Sequence, residues 1–467
     1  MTHPRKPIKS IAQHSPSLDR REFLRRAGVT FGSAAAVTLF GHAFGSGFAF
    51  AESSDLAPRT PPLPAKAKAI IHIFAAGAPS HLDTFDPKPA LETYADKPLP
   101  GQGGGVCFPS PFTFAASGKS GLLISSAFPK LATMADELCV IRSMTVDVPA
   151  HGPAAKMMHT GSLIQTKPSV GSWTLFGLGS GNRSLPGFIT LGGSAEWRQA
   201  AFLPSMYQGT RADFANNKPV DRVLSNLRND FSAPTAQRKQ LDLIGKLNQD
   251  HLARFKGDEQ LEARMESFEL AYRMETEAME AFDLNKESKE VRELYGRSDL
   301  GAKLLVARRL VERGVRFVQI EAGGWDHHSG LFAALSKSAS AIDQPAAALL
   351  ADLKRLGLLD STVVWWGGEF GRTVTTASRV ATDSGRDHHG KCFCSWLAGG
   401  GVKGGTAYGE TDELGYEVVN KPVQIHDLHA TLMRLIGYDH TKLTYRYNGR
   451  EFRLTDNFGH VVDGIIA

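Results

Sequence analysis

Short apolar runs closed by glycine recur along this chain, and three of them lie in its second half. Residues 315–320 read Val-Arg-Phe-Val-Gln-Ile, residues 361–366 Ser-Thr-Val-Val-Trp-Trp, and residues 392–397 Cys-Phe-Cys-Ser-Trp-Leu. β-Branched and aromatic runs of this length, bounded by glycine, predict buried strands. Between the first two, Ile342, Ala346, Leu349, Leu350 and Leu353 recur three and four apart. That spacing predicts an amphipathic helix over 336–357. Strand, helix, strand is the unit of a parallel sheet. Residues 69–74 and 138–143 predict two more strands. Residues 422–437 predict a strand and a helix, with Asp427 as a cap. Residues 235–295 are rich in Glu, Lys, Leu, Met and Arg and lack proline, which predicts two long surface helices forming a hairpin. The pattern as a whole predicts an α/β fold: a central, mostly parallel sheet flanked by helices, with a helical-hairpin insertion.

The chemistry sits in the loops beside these runs. After the first comes Gly323-Gly324-Trp325-Asp326-His327-His328. After the second comes Gly367-Gly368-Glu369-Phe370-Gly371-Arg372, and before the third Gly385-Arg386-Asp387-His388-His389-Gly390. Glycine lets a backbone bend so that side chains can share a pocket. In parallel sheets ligands sit beyond the carboxyl ends of strands, which is where Asp326 and Glu369 fall. Carboxylate and imidazole together suit a divalent cation such as zinc, iron or manganese better than calcium or magnesium alone.

The N-terminus changes the charge picture. Paired arginines, Arg20-Arg21 and Arg25-Arg26, precede a weakly apolar stretch, and Ala49-Phe50-Ala51 offers a small-x-small cleavage site. Residues 1–51 are read as a twin-arginine export signal and not as a membrane anchor, which implies the twin-arginine export machinery as a partner and a periplasmic or otherwise exported location. That segment holds seven Lys/Arg and two acidic residues of the chain's 53 and 48. The remainder carries 46 of each, which excludes an electrostatic case for nucleic-acid binding. Residues 52–68 are then a proline-bearing linker, and 69–467 one domain large enough only for an extended sheet. Cys107, Cys139, Cys392 and Cys394 show no metal-type spacing.

Several motifs together resemble a bacterial exported family called domain of unknown function 1501, within the alkaline phosphatase and sulfatase superfamily. They are His81-Leu82-Asp83-Thr84-Phe85-Asp86-Pro87, Leu203-Pro204-Ser205-Met206-Tyr207-Gln208-Gly209-Thr210, the three loops above, and Leu443-Thr444-Tyr445-Arg446 through Gly449-Arg450. The resemblance covers the chain from about His72 to its end. It implies an alkaline-phosphatase-like fold and two neighbouring metal positions held by Asp83, Asp326, His328, Glu369 and His388 or His389. Phe370 departs from the superfamily's Asp-His-Gly. A larger departure is His151, which stands where a Ser, Thr or Cys nucleophile belongs, so that it would act as ligand or neutral general base. Its ring is expected near Asp83 and Glu369, with Arg372 or Arg386 contacting an anion. What the resemblance implies is a metal-dependent hydrolase of a sulfate or phosphate ester, on a small-molecule or polysaccharide substrate. The cation is expected to be zinc, with manganese, iron or calcium as alternatives. The other reading is a degenerate member that binds a glycan or protein partner without turnover.

Overall fold

The computed structural model describes residues 56–467 except 100–104, 217–218, 225–235, 237, 241, 247–277 and 378–383. The export signal expected at 1–51 lies outside the described residues, as does most of the stretch 235–295 read as a helical hairpin.

Nine strands form the central sheet. In chain order they are β1 (Ala69–Phe74), β2 (Leu138–Thr145), β3 (Phe188–Leu191), β4 (Thr210–Ala212), β5 (Phe317–Glu321), β6 (Thr362–Gly367), β7 (Phe393–Ala398), β8 (Thr406–Tyr408) and β9 (Val423–Gln424). Their spatial order is β8-β2-β7-β6-β1-β5-β3-β4, with β9 also paired to β2. β7 runs antiparallel to both of its neighbours, and every other pairing is parallel. The sheet is therefore mostly parallel, as the apolar runs predict.

Five helices cover its two faces: α1 (His151–Thr160), α2 (Val170–Leu178), α3 (Asp299–Glu312), α4 (Leu331–Arg355) and α5 (Ile425–Leu435). Ile71 and Ile73 of β1 join Val364 and Trp366 of β6 in a core with α3 and α4. Ile70, Phe74, Val363 and Trp365 face the other way, toward α1, α2 and α5. This is the two-residue alternation of a strand buried on both faces, and it explains why the runs read as continuously apolar. Each such side chain contributes roughly 1.5–3 kcal/mol on burial.

Three sequence expectations need adjustment. α4 begins at Leu331, five residues before the apolar spacing suggested, after an αL Gly330, and it tolerates Pro345 inside it. Near residue 295 the chain is broken into a 3-10 turn at Leu284–Lys286 and a short helix at Lys289–Leu294. Asp283 and Ser288 cap these pieces from their side chains, so a single long helix does not run through to Tyr295. Asp427 is not the cap residue of α5. It is the third position of a reciprocal capping box in which Gln424 is the cap.

Three strands, β3, β4 and β8, escaped the sequence reading, and each has only three or four residues. The strand expected at the start of 422–437 is β9, two residues long. All four cysteines are buried and free. No helix among the described residues is long and apolar enough to cross a membrane.

Candidate metal centre

The parallel strands β1, β5 and β6 end on one edge of the sheet, and antiparallel β7 begins there. Residues 75–83, 322–328, 368–372 and 385–392 therefore meet at that edge. α1 starts there too, after β2, and its first residue is His151.

Asp326 is the hub. Its Oδ1 lies 2.8 Å from His328 Nε2, 3.3 Å from His151 Nε2 and 3.5 Å from His388 Nε2. Arg372 Nη2 donates to the same oxygen at 2.6 Å. His328 Nε2 and His388 Nε2 are 3.1 Å apart. Two sets of groups lie close enough to grip one cation, His151–Asp326–His388 and His328–Asp387–His388.

The surrounding residues orient these ligand atoms. His388 Nδ1 donates to the Pro149 carbonyl at 3.0 Å, which leaves Nε2 turned inward. His151 Nδ1 donates to Glu369 Oε1 at 2.7 Å, and the Gly77 amide donates to that same oxygen at 3.1 Å. Glu369 Oε2 is buried and has no partner among the described residues, and His151 Nε2 has no hydrogen bond of good geometry. A buried carboxylate oxygen left bare is costly. Arg372 is fixed by the carbonyls of Ala78 at 2.9 Å, Gly77 at 2.5 Å and Arg386 at 3.2 Å.

The electrostatics follow from these contacts. Burial pushes the Asp326 carboxyl up, but the hydrogen bond and charge of Arg372, with His151 and His328, outweigh it and bring it down to about 2. Asp326 is thus ionised at any pH above the acid range. The Glu369 hydrogen bond raises the His151 imidazole above its usual 6.5, against burial. This differs from the neutral ring expected of a helix start. The helix N-terminus does disfavour a cation, yet the hydrogen bond and charge of Glu369, with the charge of Asp326, raise the ring. His388 goes the other way, lowered by burial and then by Arg372.

Not every residue expected at the site is brought there. Asp83 is fully buried and tied to Arg386, Nε to Oδ2 at 2.7 Å and Nη2 to Oδ1 at 3.2 Å, and Ser80 donates to it as well. Neither member of that pair joins the cluster, so the ring of His151 meets Glu369 but not Asp83. Arg386 also donates to the carbonyls of Thr373 and Phe108, and its guanidinium covers the Phe108 ring, leaving it committed to the fold and not to an anion. His389 turns away, its Nε2 2.6 Å from the Tyr416 carbonyl. It follows His388 in a two-residue ladder with Gly371 and Arg372, and successive residues of a strand face opposite sides. His327 likewise points at Gly324 and Ser338. Asp387 was not singled out from the sequence, although its place between Arg386 and His388 was a usable signal.

The glycines act differently from the bends expected of them. Of the loop glycines only Gly324 has a left-handed φ, +93°. Most permit close backbone approach: a Cβ on Gly385 would lie 2.0 Å from the His328 carbonyl carbon. The sharp bend falls instead at Gly77, φ +107°, where a Cβ would come within 2.6 Å of the Asp326 amide nitrogen. Gly77→Ala should therefore push the Asp326 loop outward and weaken cation binding. Calorimetric titration with zinc checks this, and wild-type affinity in a folded variant would contradict it.

A family model described as Protein of unknown function (DUF1501) matches residues 67–466. The chain belongs to this family. No sequence among curated proteins matches it. Among solved structures, similar chains include the PsFucS1 sulfatase from Pseudoalteromonas sp., at 13% identity and TM-score 0.34 over 81% of this chain and 68% of that one. Another is the lipoteichoic acid synthase LtaP from Listeria monocytogenes, at 10% identity and TM-score 0.32 over 85% and 78%. A magnesium-bound mutant of TAB5 alkaline phosphatase matches at 9% identity and TM-score 0.31 over 72% and 92%.

Proposed function

We propose that this DUF1501 chain is an exported, metal-dependent hydrolase of a sulfate or phosphate ester. The observation that carries the reading is the convergence of three imidazole nitrogens on Asp326, beside a Glu369 whose second oxygen is buried and bare. This donor set fits a divalent cation. Asp326, His328 and His388 would hold it, with Glu369 Oε2 and Asp387 within the same cluster, and the imidazole-rich mixture favours zinc, then manganese or iron, over calcium. When bound, such an ion supplies Lewis acidity toward an ester oxygen.

The chain's own residues do the rest. Arg372 is buried beside the cluster with its donors on Asp326 and on the carbonyls of Ala78, Gly77 and Arg386, so its part is to fix the Asp326 carboxylate in place. Glu369 holds the His151 Nδ1 proton, so Nε2 is the nitrogen that faces the site. In its neutral form Nε2 can take a proton from an attacking water, as a general base. No hydroxyl or thiol among the described residues hydrogen-bonds to Asp326, His151, His328, His388, Glu369 or Arg372. This favours direct attack by water over a covalent intermediate.

The experiment is hydrolysis of p-nitrophenyl phosphate and p-nitrophenyl sulfate by the purified protein, before and after chelation and zinc return. Turnover lost on chelation and restored by zinc supports the reading, and turnover indifferent to chelator refutes it. The pH dependence has a definite sign. His151 is protonated below its raised folded value, so hydrolysis and cation binding should climb as pH rises through that value. In the cation-free protein the same shift stabilises the fold below the ordinary value of 6.5 and is lost as pH rises through the folded value. Denaturation midpoints across pH 5–9 (roughly the range where histidine titrates), with and without zinc, check both. Equal midpoints throughout would contradict them.

One observation favours a second reading. Arg372 already satisfies Asp326 at 2.6 Å, as it would in a member of the superfamily that binds a glycan or a protein without turnover. Cation binding with no hydrolysis of either ester would favour that reading.

Export is the remaining part of the proposal. Changing Arg20 and Arg21 together to lysine should leave the protein in the cytoplasm, as judged by fractionation and immunoblotting. Unchanged delivery would contradict the twin-arginine assignment.

A further inference from the structure

A cavity of about 450 Å3 lies between the C-terminal half of α1, the loop that follows it, the N-terminus of α5 and the segment around Asp456. Val146 lines the cavity and packs against Ala78, Ala154 and Phe370, the neighbour of Glu369. Its volume falls in the range of small-ligand sites.

The lining is specific in three respects. First, its buried lysine is neutralised in place, while the carboxylate of Asp147, also in the lining, is exposed. Lys167 is buried and its Nζ bonds Asp456 Oδ2 at 2.7 Å, while Arg450 Nη2 takes the other oxygen at 2.6 Å. Second, Phe458 stands at the rim, 57% exposed, yet it is not loose. Its ring stacks on His426 at 5.0 Å and 28°, its amide bonds the Thr455 carbonyl at 2.9 Å, and His426 in turn is held at 3.0 Å by the Gly161 carbonyl. Third, Gln165, an exposed residue of the lining, brings a side-chain amide to it.

We propose that this cavity binds an uncharged sugar ring. A pyranose with equatorial hydroxyls has one flat C–H face and a rim of hydroxyls. The fixed face of Phe458 suits the first, and Gln165 with the remaining lone pairs of Asp456 suits the second. A phosphate or sulfate group would need a free cation, and Lys167 and Arg450 are both taken. An apolar peptide would leave Gln165 and the Lys167–Asp456 pair unmatched against it. That the ring belongs to the ester substrate itself rests on the hydrolase reading. The binding does not.

The test is saturation-transfer NMR and calorimetry on the full chain treated with EDTA, with cellobiose and lactose as probes. Transfer to ring C–H protons is expected with at least one of them. Phe458→Ala removes an exposed ring face and should weaken binding about tenfold. Gln165→Ala should weaken it less, and both variants should reload zinc as wild type does. No transfer from either disaccharide, or wild-type affinity in Phe458→Ala, overturns the proposal. Because the protein is metal-free in this experiment, a sugar that binds while the protein fails to hydrolyse esters would sink only the hydrolase reading.

Discussion

Asp326→Asn should lose divalent-cation binding by more than about 100-fold, the upper end of what removing a mere supporting group costs, and hydrolysis with it. The asparagine amide keeps the shape of the side chain but removes the negative charge around which three imidazole nitrogens and Arg372 are gathered. Asn offers a weaker neutral oxygen, and its NH2 group repels both a cation and Arg372. The fold should survive, because Asp326 is 46% exposed and belongs to a loop after β5 and not to the core. A second consequence separates this account from a simple loss of folding. Asp326 helps raise the His151 imidazole, so its pKa should fall in the variant. NMR titration of the His151 ring, alongside zinc titration calorimetry, reads both effects. A variant that binds zinc as tightly as wild type would remove Asp326 from the centre.

The second large effect lies on stability. Asp83→Ala leaves the Arg386 guanidinium buried without its counter-ion, since both side chains are fully excluded from solvent. Breaking such a pair from one side costs about 3–5 kcal/mol, a large share of the roughly 5–15 kcal/mol that holds a domain folded. Urea denaturation should show that loss. Burial pushes the Asp83 carboxyl up, but Arg386, Ser80 and Ser110 together hold it below the usual range. Its stabilising contribution is therefore present above pH ~4, the unfolded value, and is lost as pH falls further. The milder Asp83→Asn, which can still accept from Arg386, should keep wild-type zinc content. A zinc-free Asp83→Asn protein with an intact fold would return Asp83 to the ligand set.

These two aspartates show how far the sequence could be read. Both follow a strand at the ligand edge of a parallel sheet, and pattern alone cannot separate them. What separates them is pairing. Asp83 meets Arg386, a residue 303 positions away that itself sits in a loop read as chemistry. Asp326 keeps an exposed face. The apolar runs located β1, β2, β5, β6 and β7 because these strands are buried on both sides and leave unbroken hydrophobic signatures. β4 and β8 are short and carry polar residues, so they leave no such signature. His388 and His389 illustrate the same limit at the site. Adjacent in sequence, they are equal candidates until the ladder with Gly371 and Arg372 turns one inward and the other toward Tyr416. His151 was legible as a site residue from its place at the start of the α1 motif. Its protonation was not, because the Glu369 contact that sets it spans 218 positions.

The central claim is that Asp326, His328 and His388 hold a cation, and the most direct measurement is elemental analysis of the purified protein after gel filtration. Mass spectrometry of the wild type should find about one equivalent of zinc, manganese or iron per chain, and Asp326→Asn processed in parallel should find next to none. A wild-type protein that emerges without a transition metal, and takes up none from zinc-containing buffer, would contradict the claim.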